Sequence, residues 1–178
     1  TREGLFLAAM TAKRLAPPRA GLPAILIPNP FYAVYAAGAV AAGCEPVYLP
    51  ATAKTGFLPD LDALPDDLLA RTVAFYFASP SNPQGAVASR DYLSRLLALA
   101  RRFGFMVFSD ECYSEIYSHE PPPGMLEVAG ADFAKVVVFH SLSKRSSLPG
   151  LRVGFAAGDS AFIKPFLELR TVAGPPVP

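Results

Sequence analysis

The sequence predicts an α/β fold with a mostly parallel sheet, and three observations lead to this prediction. Short apolar runs rich in Val, Ile and Phe recur along the chain, as expected for strands buried on both faces. Helical segments alternate with these runs, which is the pattern of a sheet covered by helices. Polar residues collect where the predicted strands end, whereas the strands themselves carry almost none.

The predicted elements follow one another in regular order along the chain. The predicted strands are 24–27, 46–49, 72–78, 105–108, 136–139 and 153–157. The predicted helices are 2–15, 31–42, 60–70 and 89–104.

The helix at 89–104 has the clearest boundaries. Ser89 is a suitable N-cap, Asp91 lies in the first turn and Gly104 follows as a stop. Arg101 and Arg102 in the last turn complement the helix dipole. Its apolar face consists of Leu93, Leu96, Leu97 and Ala100.

The last predicted strand, 153–157, breaks the parallel pattern. Only residues 140–152 connect it to the strand before it, and they include Pro149 and Gly150. A parallel crossover needs about a dozen residues or more, usually with a helix. This connection is short, and its proline and glycine disfavour a helix, so we expect the last strand to run antiparallel to its predecessor.

Composition bounds the class of protein. The chain has 178 residues, 52% of them hydrophobic and 17% charged, which is typical of one globular domain with a sizeable core. The net charge of +1 and the lack of a basic block argue against a nucleic-acid partner. The apolar runs are too short to span a membrane, and no stretch with the pattern of a secretion signal is visible in the sequence.

Cysteine and histidine usage gives no sign of a disulfide framework or a metal site. Cys44 and Cys112 are isolated, which favours a reduced, cytoplasmic setting. These cysteines and the two histidines, His119 and His140, lack the spacing of metal ligands. The chain opens without an initiator Met and stops just after a helical stretch, so we expect it to be a piece of a longer protein.

Four strand ends carry the polar residues, in the segments "PNPFY", "SPSNPQG", "SDECY" and "HSLSK". Ligands of open parallel sheets bind beyond the carboxyl ends of the strands. Each segment alone has an ordinary explanation: a turn at "SNPQG", a helix cap at Asp110, or solvated cations at Lys144 and Arg152. Such explanations must all hold at once, at four consecutive strand ends, and one shared ligand accounts for the clustering better.

The chemistry of these residues indicates the ligand. An amine at Lys144 lies near the hydroxyls of Ser141 and Ser143, and Arg152 can bind a phosphate through two hydrogen bonds. A helix that starts at Thr1–Arg2 adds backbone N–H groups. A buried Asp suits a protonated pyridine nitrogen, and an aromatic ring such as Tyr32 can stack on a cofactor ring. These are the requirements of pyridoxal phosphate bound to lysine as a Schiff base.

At this point the sequence resembles a known family. "SLSKRSSLPGLRVG" is similar to the Schiff-base lysine motif of the fold type I pyridoxal-phosphate enzymes, S-x-S-K-x(4)-P-G-x-R-x-G. "SNPQG" resembles their N-P-x-G motif and "DECY" their D-x-x-Y motif. The order and spacing resemble those of the class I/II aminotransferases over essentially the whole chain. The fold implied is the three-layer α/β/α large domain of that family.

The resemblance implies roles around the cofactor ring. Lys144 forms the Schiff base and then moves a proton between substrate and cofactor, and Asp110 pairs with the pyridine N–H. Asn82 and Tyr113 hydrogen-bond the phenolic oxygen, and Tyr32 stacks on the ring. Lys144, Asp110 and Tyr113 are thus the predicted catalytic residues.

The resemblance also implies the phosphate contacts. Ser141 and Arg152 hold the phosphate, with help from Ser143. Thr1 and Arg2 match the phosphate loop at a helix start, mostly through backbone N–H groups.

Several stretches, "TREGLF", "NPFYAVYAAGA", "FLPD" and "SPSNPQGAVAS", are similar to succinyldiaminopimelate aminotransferases of bacterial lysine biosynthesis. This resemblance implies transfer of an amino group from glutamate to a keto acid such as N-succinyl-2-amino-6-oxopimelate. It also implies a homodimer for the full-length protein. From the resemblance we also expect residues 1–178 to correspond to one cofactor-binding large domain, without the family's N-terminal arm and small domain.

Other functions stay open at this point. The same scaffold supports β-lyases, decarboxylases and synthases, and fold alone does not fix the reaction. The chain could also be a catalytically impaired cofactor-binding fragment, or a sensing domain fused to a DNA-binding domain.

Overall fold

A computed structural model describes residues 1–174, so the last four residues of the predicted domain, 175–178, lie outside the described part. Its centre is a six-stranded sheet with the order β2-β1-β3-β4-β5-β6. All neighbouring pairs are parallel except β5 with β6, which is antiparallel, so the predicted reversal is confirmed. The strands are β1 (Ala24–Asn29), β2 (Glu45–Pro50), β3 (Thr72–Ala78), β4 (Met106–Asp110), β5 (Val136–Ser141) and β6 (Gly154–Gly158).

Helices cover both faces of the sheet. They are α1 (Arg2–Leu15), α2 (Ala33–Ala41), α3 (Asp66–Arg71), α4 (Arg90–Phe103), α5 (Met125–Val128), α6 (Leu142–Arg145) and α7 (Ser160–Ala173). One hydrophobic core joins α1, α2 and α7 to one face of the sheet, and a second joins α3, α4 and α5 to the other. Alternate residues of the central strands supply the two cores, as Tyr76 and Phe77 of β3 do. The predicted three-layer α/β/α fold is therefore confirmed.

Two helix predictions need correction. The helix expected at 60–70 begins only at Asp66, because Pro65 occupies its N-cap in an extended conformation. Residues 140–152 are not free of helix: α6 forms one turn around Lys144, and a 3₁₀ turn covers Pro149–Leu151. Ser141 permits this turn because its hydroxyl accepts a hydrogen bond from the backbone N–H of Ser143.

The register of the sheet brings the polar strand ends together. Asp110, the last residue of β4, pairs with Ala78 on one side and Phe139 on the other. The carboxyl ends of β1, β3, β4 and β5 therefore open onto the same edge. Within residues 1–174, no helix is long and apolar enough to cross a membrane.

Candidate functional site

A cavity of about 460 Å³ lies at this edge of the sheet. Its volume is in the range of small-molecule and cofactor sites. All ten site residues predicted from the sequence line it: Thr1, Arg2, Tyr32, Asn82, Asp110, Tyr113, Ser141, Ser143, Lys144 and Arg152.

The carboxylate of Asp110 is the most deeply enclosed charge in this cavity, with 8% of the residue exposed. The Tyr35 hydroxyl donates to its Oδ2 at 2.7 Å, and the Cys112 backbone N–H donates to its Oδ1 at 3.3 Å. These two hydrogen bonds fix the orientation of the carboxylate, which lines the cavity.

The segment that follows Asp110 is held in place by contacts of Glu111, which does not line the cavity. Glu111 is buried and accepts hydrogen bonds from the Ser109 hydroxyl at 2.9 Å and the Met125 backbone N–H at 2.8 Å. Its other oxygen lies 3.3 Å from Nε2 of His140. These contacts hold the start of the "DECY" segment against β5.

Lys144 projects from α6 toward the aromatic side of the cavity. Its Nζ lies 6.0 Å from the centroid of the Tyr113 ring. The Tyr113 hydroxyl in turn accepts a hydrogen bond from Nδ2 of Asn82 at 3.1 Å. The neighbouring Arg145 pairs instead with Glu115 at 3.3 Å. The single turn of helix thus separates the two adjacent cations, and of these two residues only Lys144 lines the cavity.

Cationic and hydroxyl groups collect where α1 begins. Nε of Arg2 donates to the Tyr32 hydroxyl at 2.6 Å. Arg152 adopts a left-handed backbone (φ 55°), and its side chain donates to the Pro149 carbonyl at 2.8 Å. Such a backbone is uncommon for a residue other than glycine and often occurs at functional sites. The free N–H groups of the first turn of α1 complete an environment suited to an anion.

Gly154 explains the last position of the lysine motif. A Cβ at this residue would lie 2.5 Å from the His140 carbonyl oxygen and 3.2 Å from the Thr1 backbone nitrogen. Only glycine lets β6 approach both β5 and the start of α1 this closely.

Sequence reasoning missed several residues that line the cavity. Tyr35 and Cys112 contact Asp110, and the apolar stretch 57–59 and Gln84 lie on the cavity wall. Tyr35 could have been suspected, because it lies three residues after Tyr32 at helical spacing and therefore shares its side of α2. The loop residues gave no comparable signal.

Burial and the charge of Asp110 raise the pKa of two neighbouring groups. Burial first, and then the nearby carboxylate, raises the pKa of the Tyr35 hydroxyl well above its usual value. The same two causes, in the same order, raise the pKa of the Cys112 thiol. Both groups therefore keep their protons at neutral pH, and Tyr35 remains a hydrogen-bond donor.

The donor set fits pyridoxal phosphate. The cavity combines a primary amine, a buried carboxylate for a pyridine N–H, a phenol–amide pair for a phenolic oxygen, and cations with hydroxyls for a phosphate. Gln84 Oε1 is buried in the cavity wall, and no donor within residues 1–174 reaches it. In the same described part, no cluster of three or more His, Cys, Asp or Glu residues could hold a metal ion.

Comparison with known proteins gives the family. A family model described as aminotransferase class I and II matches residues 7–172. Because this match spans most of the chain, the chain belongs to the class I and II aminotransferases. Members of this family use pyridoxal phosphate as their cofactor.

Curated relatives carry the name diaminopimelate aminotransferase. The LL-diaminopimelate aminotransferase of Desulforudis audaxviator is 41% identical over 148 residues, which are 83% of this chain and 38% of the relative. LL-diaminopimelate aminotransferase 2 of a Nostoc species is 37% identical over 148 residues, 82% of this chain and 37% of the relative. The chain thus spans less than two fifths of the length of these relatives.

Solved structures agree over nearly the whole chain. An aminotransferase from Neisseria meningitidis superposes with a TM-score of 0.88 at 40% identity, covering 97% of this chain and 44% of the other. A probable N-succinyldiaminopimelate aminotransferase from Thermus thermophilus gives a TM-score of 0.83 at 27% identity, covering 96% of this chain and 44% of the other.

Proposed function

We propose that residues 1–178 are the cofactor-binding large domain of a pyridoxal-phosphate-dependent aminotransferase. The observation that carries this proposal is the single cavity that gathers the amine of Lys144, the buried carboxylate of Asp110 and a group of cations and hydroxyls. Membership of the class I and II aminotransferases supports the same reaction class.

The residues around the ring have distinct roles in this proposal. Lys144 binds the cofactor through Nζ and later moves a proton at the same atom. Asp110 accepts the pyridine N–H, while Asn82 and Tyr113 orient the phenolic oxygen. Tyr32 covers one face of the ring. When bound, pyridoxal phosphate supplies an electron-withdrawing ring that makes the Cα–H of an attached amino acid acidic.

A second group of residues holds the phosphate. Ser141, Ser143 and Arg152 donate hydrogen bonds from the "SLSK" end of the cavity. Thr1 and Arg2 contribute the start of α1, where backbone N–H groups and the helix dipole favour an anion. The guanidinium of Arg152 can bind two phosphate oxygens at once.

The proposed substrates are a small amino acid and a keto acid. Glutamate is the proposed amino donor and N-succinyl-2-amino-6-oxopimelate the proposed acceptor, within lysine biosynthesis. The names of the relatives support the diaminopimelate class, since they include both LL-diaminopimelate and N-succinyldiaminopimelate aminotransferases. We further propose that the full-length protein is a cytoplasmic homodimer; both cysteines are free thiols, as a reducing compartment requires.

A cofactor titration tests the proposed site. The protein is expressed with whatever its reading frame supplies beyond residues 1 and 178, and its absorbance is recorded as pyridoxal phosphate is added. A Schiff-base band near the visible edge that disappears in Lys144→Ala supports the proposal. The control is Lys164→Ala, which alters an exposed lysine of α7 and should leave the band unchanged. A folded wild-type protein without this band would overturn the proposal.

A second assay separates the substrates. The holoenzyme is given 2-oxoglutarate with LL-diaminopimelate or its N-succinyl derivative, and glutamate formation is measured. Preferred use of the N-succinyl derivative supports N-succinyl-2-amino-6-oxopimelate as the acceptor. Preferred use of LL-diaminopimelate would instead show that the substrate carries no succinyl group. Activity on neither, together with elimination from cysteine-type substrates, would overturn the proposed reaction in favour of a lyase.

A further inference from the structure

Asp110 receives a hydrogen bond from a tyrosine that none of the roles above requires. Tyr35 is 3% exposed, and its hydroxyl donates to Oδ2 of Asp110 at 2.7 Å. The Cys112 backbone N–H, on the other oxygen, is a longer contact at 3.3 Å. Of these two hydrogen bonds to the carboxylate, the one from the tyrosine is the shorter.

A second tyrosine holds Tyr35 in place. The rings of Tyr35 and Tyr76 are stacked, with centroids 4.6 Å apart and planes 9° from parallel. Tyr76 is fully buried in β3, and its hydroxyl donates to the Leu5 carbonyl oxygen in α1 at 2.5 Å. Tyr35 is thereby fixed between the sheet and the helix whose first turn faces the proposed phosphate position.

We propose that Tyr35 is a positioning residue, whose hydroxyl holds Asp110 as an oriented acceptor for the pyridine N–H of the cofactor. This inference rests on the proposed function. The Tyr35 O–H donates to one oxygen of the carboxylate and fixes its rotation, so the lone pairs that face the cavity stay available to the ring N–H. Burial and the charge of Asp110 keep the phenol protonated, as a donor must be.

The test compares two cofactors in two proteins. Dissociation constants are measured for pyridoxal phosphate and for its 1-deaza analogue, in which a ring C–H replaces the pyridine nitrogen. The variant is Tyr35→Phe, which removes the hydroxyl but keeps the ring and its stacking on Tyr76. The control is Tyr92→Phe, which removes a hydroxyl that donates to the Pro59 carbonyl at 2.8 Å from a ring stacked on Phe77, on the other face of the sheet.

We expect Tyr35→Phe to weaken binding of pyridoxal phosphate by about tenfold, the effect of one charge-assisted hydrogen bond, and to leave binding of the deaza analogue nearly unchanged. Tyr92→Phe should change neither constant. Equal weakening for both cofactors would overturn the inference, because Tyr35 would then only support the cavity wall. Equal binding of both cofactors by the wild-type protein would also overturn the inference, because Asp110 would then not recognise the pyridine N–H. If the wild-type protein binds neither cofactor, the proposed function itself fails.

Discussion

Replacing Asp110 with Asn should accelerate the reaction of Cys112 with a disulfide reagent. The charge of Asp110 and its hydrogen bond with the thiol follow burial among the causes that raise the pKa of this thiol. Removing the charge lowers the pKa, so a larger fraction of the thiol is ionised at any pH below it. Loss of one close charge changes such a fraction by about tenfold. A less basic thiolate is also a weaker nucleophile, and the Brønsted coefficient that relates its reactivity to the thiol pKa is about 0.4–0.5. This loss offsets part of the tenfold gain in ionised thiol, so the net gain in rate is about threefold to fourfold.

The assay uses the cofactor-free protein at about pH 8, below the pKa of an ordinary cysteine, and resolves the two cysteines by mass spectrometry. Cys44 is the internal control, because burial raises the pKa of its thiol while Asp110 has no part in it. In wild-type protein, the Cys112 rate should still be rising at pH values where a free cysteine has levelled off. An unchanged or slower Cys112 rate in a folded Asp110→Asn variant would refute the electrostatic account of the cavity.

Three further predictions concern stability, measured by urea unfolding. Arg19→Ala should lower the free energy of unfolding by about 2 kcal/mol, because this guanidinium donates to three backbone carbonyls at the carboxyl ends of α3 and α4. A decrease no larger than that caused by Arg14→Ala, at an exposed arginine, would contradict this. Ser89→Ala should lower the free energy of unfolding by about 1 kcal/mol, since the Ser89 hydroxyl caps α4 by accepting a hydrogen bond from the Tyr92 backbone N–H at 3.2 Å. The control is Ser94→Ala, at an exposed serine of the same helix. Gly158→Ala should destabilise far more than Ser94→Ala, because the added Cβ would lie 2.1 Å from a carbonyl oxygen of β5. A near-neutral effect would contradict the close approach of β6 to β5.

The sheet was predictable because its signals are local. Short apolar runs mark buried strands, and each of the six predicted runs overlaps with a strand of the structure. The reversal at β6 followed from the length of one connection. The one-turn helix at Lys144 was missed, because its formation depends on the cap at Ser141 rather than on any periodic pattern. The late start of α3 could have been read from Pro65.

The lining residues of the cavity that follow buried strands could be predicted from the sequence, whereas several on helices and loops could not be assigned to it. Asn82, Asp110 and Ser141 follow or end buried strands, so the parallel arrangement alone brings them to one edge. The contact of Tyr35 with Asp110 depends on how α2 packs against β3, and the apolar stretch 57–59 reaches the cavity only through the path of its loop. Helical spacing places Tyr35 on the side of Tyr32, but its partner and the path of the 57–59 loop depend on tertiary packing that local sequence does not encode.

The central claim is that Lys144 is the amine that binds the cofactor, and borohydride trapping tests it most directly. The protein is incubated with pyridoxal phosphate, reduced with borohydride, digested and mapped by mass spectrometry. The account predicts one stable pyridoxyl-phosphate group on Lys144 and none on the chain's other lysines, Lys13, Lys54, Lys135 and Lys164. Label spread across these other lysines, or no label on Lys144 in folded protein, would contradict it.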